Sequence, residues 1–127
     1  AAVLGLSSLR DADGDAAADL PPPLDRRVRH VLSENARVDL AVAALDRGDL
    51  AELGRLLDES HASLRDDYEV SVPAVEDAVD TCRAAGALGA RIMGGGFGGS
   101  VLALFGPQAE LPERAIRVEP GPPARLL

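Results

Sequence analysis

The stretch Gly89-Ala90-Arg91-Ile92-Met93-Gly94-Gly95-Gly96-Phe97-Gly98-Gly99-Ser100 holds the densest signal in this 127-residue chain. Five of the 13 glycines lie between positions 94 and 99. So many glycines cost backbone entropy on folding and persist where φ > 0 or a close approach is needed. Ala90–Met93 ahead of the run is apolar on alternate sides, and Ser100–Phe105 behind it is apolar and punctuated by Gly106-Pro107. That pattern predicts strand, tight loop, strand. Consecutive N–H groups in such a loop form a concavity suited to an anion. A crowded hairpin with no ligand is the plain alternative, and composition alone favours neither.

Two phosphate-binding patterns match here by accident. Gly94, Gly96 and Gly99 satisfy the dinucleotide G-x-G-x-x-G, but that fingerprint must open a helix and a strand follows instead. Adding Val101 satisfies the protein-kinase glycine loop, which needs a lysine and a catalytic loop downstream. Only 26 residues follow Val101, and all 13 basic residues of the chain are Arg. The missing lysine also excludes a P-loop and Schiff-base chemistry.

Upstream of the glycine motif the period is helical. Val28, Val31, Asn35, Val38, Val42 and Leu45 are spaced 3-4-3-4-3 and predict the seam of an amphipathic helix, with Asn35 as its polar member. Gly48 ends that helix as a left-handed cap, and Asp49 with Glu52 opens the next. In the second helix Leu50, Leu53, Leu57, Ser60 and Leu64 repeat the seam, and so short a join makes the pair roughly antiparallel. Ser71 and Pro73 then start a third helix with Val75, Ala78, Val79 and Cys82 on its buried face, ended by Gly86. Cys82 on that face reads as packing, not as a reactive thiol. His61, Ser63 and Asp66 do not make a hydrolase: Ser63 is two places from His61, on another face, with no nucleophile elbow nearby.

Toward the amino terminus, Val3–Leu9 reads as a short strand or apolar lead-in, and residues 11–23 as an Asp/Ala/Pro-rich linker. Asp11, Asp13 and Asp15 imitate the start of a calcium loop, but glycine falls at the fourth place and Pro22 at the twelfth, so no metal site is expected. Toward the other end, Ala115–Val118 reads as a last strand. The organisation expected is therefore a lead-in over 1–10, a linker over 11–23 and one domain over 24–127.

Thirteen Arg against 21 acids give a net charge of −8 and a pI near 4.6. That sign offers no counterion-release drive toward nucleic acid or anionic lipid. Arg26, Arg27 and Arg29 form the one basic cluster and read as a solvated helix face. Cys82 is the single cysteine, which excludes an intrachain disulfide and a zinc quartet and suits a cytoplasmic location. No window approaches the ~18 apolar residues of a membrane span. Aromatics make up 2%, so the core falls to Ala, Leu and Val. The only Met is Met93, and the reading favoured is a chain that begins within a longer protein.

Residues 89–100 resemble the third motif of the GHMP small-molecule kinases. Glu34-Asn35-Ala36-Arg37-Val38, the segment from Ser60-His61 through Ser63-Leu64-Arg65-Asp66-Asp67-Tyr68-Glu69-Val70-Ser71, and Leu9-Arg10-Asp11 resemble the galactokinase branch in particular. The matches span about residues 4–105. The resemblance implies an α/β (α+β) carboxy-terminal domain, with about three main helices packed on a mostly antiparallel sheet. It implies transfer of the γ-phosphoryl of MgATP to the anomeric hydroxyl of galactose, in a cleft between this domain and an amino-terminal half. Gly94, Gly95, Gly96, Phe97, Gly98 and Gly99 would lie close to the phosphates.

This chain also departs from the family pattern. The sugar-binding segment, serine-rich phosphate loop, magnesium ligand and catalytic Asp with its partner Arg lie upstream in that family and are not in this sequence. Gly5-Leu6-Ser7-Ser8 is no substitute, being without the Pro-x-Gly lead and followed by Leu9-Arg10-Asp11. After Phe105, where the family has a full helix, Pro107–Glu113 leaves hardly two turns and contains Pro112. The expectation is thus a galactokinase fragment, inactive alone, whose partners are ATP, galactose and the other half. A GHMP kinase for an amino sugar or small alcohol, or a non-catalytic sensor or binding module on the same fold, stays open as an alternative.

Overall fold

A computed structural model describes residues 1–119 and 121; the remainder of the expected 24–127 domain lies outside the described residues. Three helices, α1 (Leu24–Arg47), α2 (Leu50–Asp66) and α3 (Pro73–Ala84), precede an antiparallel hairpin of β1 (Gly89–Met93) and β2 (Ser100–Leu104). The hairpin register pairs Gly89 with Leu104 and Met93 with Ser100, which puts the glycine run at its turn.

The α1–α2 join forms as its residues dictate. Gly48 takes φ 65°, ψ 24°, and its N–H reaches the carbonyls of Ala44 and Leu45. Asp49 then caps α2 by accepting the Glu52 amide at 3.0 Å. The helices run antiparallel, because Arg26 and Arg27 at the start of α1 contact Asp66 and Asp67 at the end of α2. At the start of α3, Pro73 occupies the first turn, but the cap is Val72, without a side-chain hydrogen bond. The Ser71 hydroxyl donates to the Glu76 carboxylate instead of capping backbone.

The core is Leu64, Val70, Val75, Val79, Ala90 and Ile92, with Val72, Cys82, Val101 and Ala103 packed on it. Each fully buried branched side chain contributes roughly 1.5–3 kcal/mol. Val79 and Ile92, almost without exposure, are its centre. Burial also raises the Cys82 thiol above its ordinary pKa, as a packing residue requires.

Three expectations are corrected. Val3–Leu9 is not a strand: Ala2–Leu4 and Leu9–Asp11 are single 3-10 turns, the first closed by Gly5 in the left-handed region. A lone apolar run with no neighbour strand beside it satisfies its amides locally. Ala115–Val118 is not a strand either, and Ile116 and Val118 are exposed, since among the described residues no strand lies along the far side of β2 to receive them. The α1 seam is rotated: Val28 is buried, but Asn35, Val38, Val42 and Leu45 are exposed. α1 meets α2 through the neighbouring face, where Ala44 is buried and Ala41 borders a 90 Å³ cavity against Leu53, Leu56 and Leu57. Alanines allow the close approach, and Glu34, bonded to Arg37 and to Ser60 (2.6 Å), bridges the helices between them.

Candidate functional site

Gly94, Gly96, Gly98 and Gly99 have φ between 87° and 134°, a region closed to most side chains, so the glycine density has a backbone cause. Gly94, Gly95 and Gly99 are exposed. Gly96 is also sterically required, because a Cβ there would overlap the Val70 side chain. Phe97, at φ 60°, is one of two non-glycine residues in the left-handed region among those described, and the residue is 73% exposed. Its N–H donates to the Val70 carbonyl at 2.7 Å. One amide of the expected anion loop is thus engaged within the chain, which leaves the glycine amides as the donors that could face a phosphate.

Val70 belongs to the link after α2, and that link is held from α1. Glu69, the other left-handed non-glycine residue (φ 60°), accepts from Arg26 at 2.9 Å and from Arg27 at 2.5 Å. Hydrogen bonding from Arg27, with Arg26 beside it, holds the Glu69 carboxyl below the usual carboxylate range. Arg26 also donates to the Asp66 carbonyl and Arg27 to that of Asp67. Arg27 lies 5.7 Å from the Tyr68 ring centroid, while His30 stacks on the same ring at 4.6 Å. The arginine cluster read as a solvated face is therefore a brace; only Arg29, paired with Asp25 on its own helix, fits that reading. The signal available was complementary charge: two arginines early in α1 and the acidic Asp66–Glu69 segment one helix pair later. Between these elements and the loop runs an open groove of about 540 Å³, bordered by Arg27, Val31, Tyr68, Val70, Gly95 and Phe97 among others.

The base of the loop is fixed from α2. His61, fully buried, accepts the Ile92 amide on Nδ1 at 3.3 Å, and its Nε2 lies 3.1 Å from Glu76 Oε1 without hydrogen-bond geometry. One turn earlier, Asp58 accepts the Ala90 amide at 2.9 Å and pairs with Arg83 at 3.0 Å. Two side chains of α2 thereby occupy alternate amides along the outer edge of β1.

The rejected nucleophile reading meets a different trio. His30 Nδ1 lies 3.0 Å from Ser63 Oγ, and Ser63 donates to Asp67 Oδ2 at 3.1 Å. Serine is in the middle, buried, giving its proton to the carboxylate; a nucleophile needs the histidine between them. Burial lowers the His30 pKa, against the raising influence of Glu34 and Asp67. Among the described residues no group of three or more His, Cys, Asp or Glu could hold a metal, and no helix is long and apolar enough to cross a membrane.

Comparison with known proteins agrees with this geometry. Residues 41–118 match the family model described as GHMP kinases C terminal. The chain is 50% identical over 105 residues to a galactokinase of Roseiflexus sp. (strain RS-1), covering 79% of this chain and 27% of the relative. It is 50% identical over 110 residues to a galactokinase of Streptomyces coelicolor A3(2), covering 82% and 28%. The crystal structure of Lactococcus lactis galactokinase complexed with galactose matches with a TM-score of 0.70 at 39% identity, over 78% of this chain and 27% of that one. The chain spans little more than a quarter of these relatives, in their carboxy-terminal part. With its three helices, antiparallel hairpin and glycine turn, it belongs to the GHMP kinase family as that family's carboxy-terminal domain.

Proposed function

We propose that this chain is the carboxy-terminal part of a galactokinase. In the intact enzyme MgATP supplies the γ-phosphoryl group, and the anomeric hydroxyl of galactose accepts it. The observation that carries this reading is 50% identity to two galactokinases over more than 100 residues each. The part played by this chain is electrostatic: amides of Gly94, Gly95, Gly96, Gly98 and Gly99 face the charge that develops on the transferring group, where prearranged donors are most effective. Phe97 contributes shape, its own amide being bonded to Val70. No magnesium ligand set is assigned to this chain; the metal, the base and the sugar contacts belong to an amino-terminal half. Residues 24–127 form the domain, 11–23 the connection, and the intact enzyme acts in the cytoplasm.

The isolated chain is expected to be inactive. A coupled assay with ATP and galactose should show no turnover for the chain alone, and turnover once it is joined to the amino-terminal half of a galactokinase. Turnover by the chain alone at an intact enzyme's rate overturns the fragment reading. A joined enzyme that phosphorylates an amino sugar but not galactose overturns the substrate assignment.

A further inference from the structure

Glu69 and Phe97, both at φ 60°, stand on either side of one hydrogen bond, from the Phe97 amide to the Val70 carbonyl. A non-glycine residue rests in the left-handed region only when its surroundings over-determine it. For Phe97 those surroundings are the Val70 carbonyl and the packing of Gly96 on Val70. For Glu69 they are two guanidinium groups, from Arg26 and Arg27, on its two carboxylate oxygens. Val70 itself is buried and donates its N–H to the Leu64 carbonyl at 3.0 Å, so the link has little freedom of its own. Strain at the turn of the loop is thus matched, one residue from its anchor, by strain held with ion pairs.

We propose that Glu69 is a positioning residue for the glycine loop: braced by Arg26 and Arg27, it aims the Val70 carbonyl at the Phe97 amide and so sets the arrangement of the glycine amides around it. The structural part needs no ligand. Its consequence for phosphoryl transfer rests on the reading of the loop given above.

The test is amide hydrogen exchange by NMR on the whole chain. In Glu69→Ala the Phe97 amide should exchange at least tenfold faster and the Gly94–Gly99 resonances should shift, while Leu56 and Val79 keep their protection. Glu69→Gly, which accepts φ 60° without strain but has no carboxylate, should loosen the loop as well. Glu69→Gln keeps one acceptor oxygen but sets an NH2 donor against the other guanidinium, so its Phe97 rate should fall between those of wild type and Ala. A Phe97 rate within twofold of wild type in Glu69→Ala or in Glu69→Gly overturns the proposal. If Glu69→Ala loses core protection, the double variant Arg26→Gln/Arg27→Gln decides: selective loosening of Phe97 supports the brace, and an unchanged rate overturns it. MgATP titrated into the chain joined to the amino-terminal half of a galactokinase tests the other reading separately. Absence of loop shifts counts against phosphate binding and leaves the brace standing. Where shifts occur, Glu69→Ala should weaken binding about tenfold, and equal affinity overturns the functional half.

Discussion

Gly54 of α2 and Gly89 of β1 meet backbone to backbone. A Cβ built on Gly89 would overlap the Gly54 carbonyl, and one built on Gly54 would overlap the carbonyl of Leu88. Both residues are buried, and neither has the positive φ that would otherwise explain a glycine. The pair sets how near the helix can come to the sheet, and with it whether Asp58 and His61 reach the β1 amides.

Gly89→Ala should therefore destabilise the domain by about 2–4 kcal/mol, because backbone has to move to admit the methyl group. Gly95→Ala, in open space and without a positive φ, should stay within about 0.5 kcal/mol of wild type. Urea unfolding of the two variants checks the contrast; equal losses would mean that the contact between Gly54 and Gly89 does not limit stability.

His61→Leu should cost about 2–3 kcal/mol, since it leaves the buried Ile92 amide without an acceptor. His61→Asn can restore an acceptor near the Nδ1 position and should recover part of that loss. Thermal unfolding of both variants measures the difference.

His30 gives the stability a pH dependence. Burial holds its folded pKa below the ordinary imidazole value of about 6.5, so between these values the unfolded chain binds more protons than the folded one. Stability from this group is complete above about pH 6.5 and is lost as the pH falls through the lowered folded value. The urea midpoint should drop on acidification from about pH 6.5 through that window. His30→Gln should flatten that part of the profile, and an unchanged slope would assign it elsewhere.

Val42 and Leu45 put apolar surface on the outside of α1, continued by Val38 at the rim of the cavity against α2. The isolated chain should self-associate through it, and Val42→Glu should shift sedimentation toward monomer while changing stability by less than about 0.5 kcal/mol. A wild-type chain that is monomeric at high concentration removes this surface as a cause of association.

What could be read from residues alone was what neighbouring residues decide together. Gly48-Asp49, Pro73 and the segments flanking Gly94–Gly99 each carry their own local signal, and each element they announce is present. The rotation of α1 could not be read that way, because Val38 and Val42 satisfy helical spacing as well as Ala41 and Ala44 do. Which face turns inward depends on the close approach of α2 and on the Glu34 bridge to Ser60. The loop at Gly94–Gly99 was legible as an anion-binding candidate; its anchors were not. Glu69 lies far from Arg26 and from Phe97 in sequence, and only the antiparallel return of α2 brings the three together.

Because Asp58 and His61 occupy the Ala90 and Ile92 amides, the hairpin has a closed margin and, among the described residues, an open one. A further strand could join beside β1 only by displacing both side chains and leaving Arg83 without its partner on α2. It could join beside β2 at no such loss. Any enlargement of this sheet therefore proceeds in a single direction, away from α2, and the glycine turn keeps its place on the innermost hairpin however many strands are added.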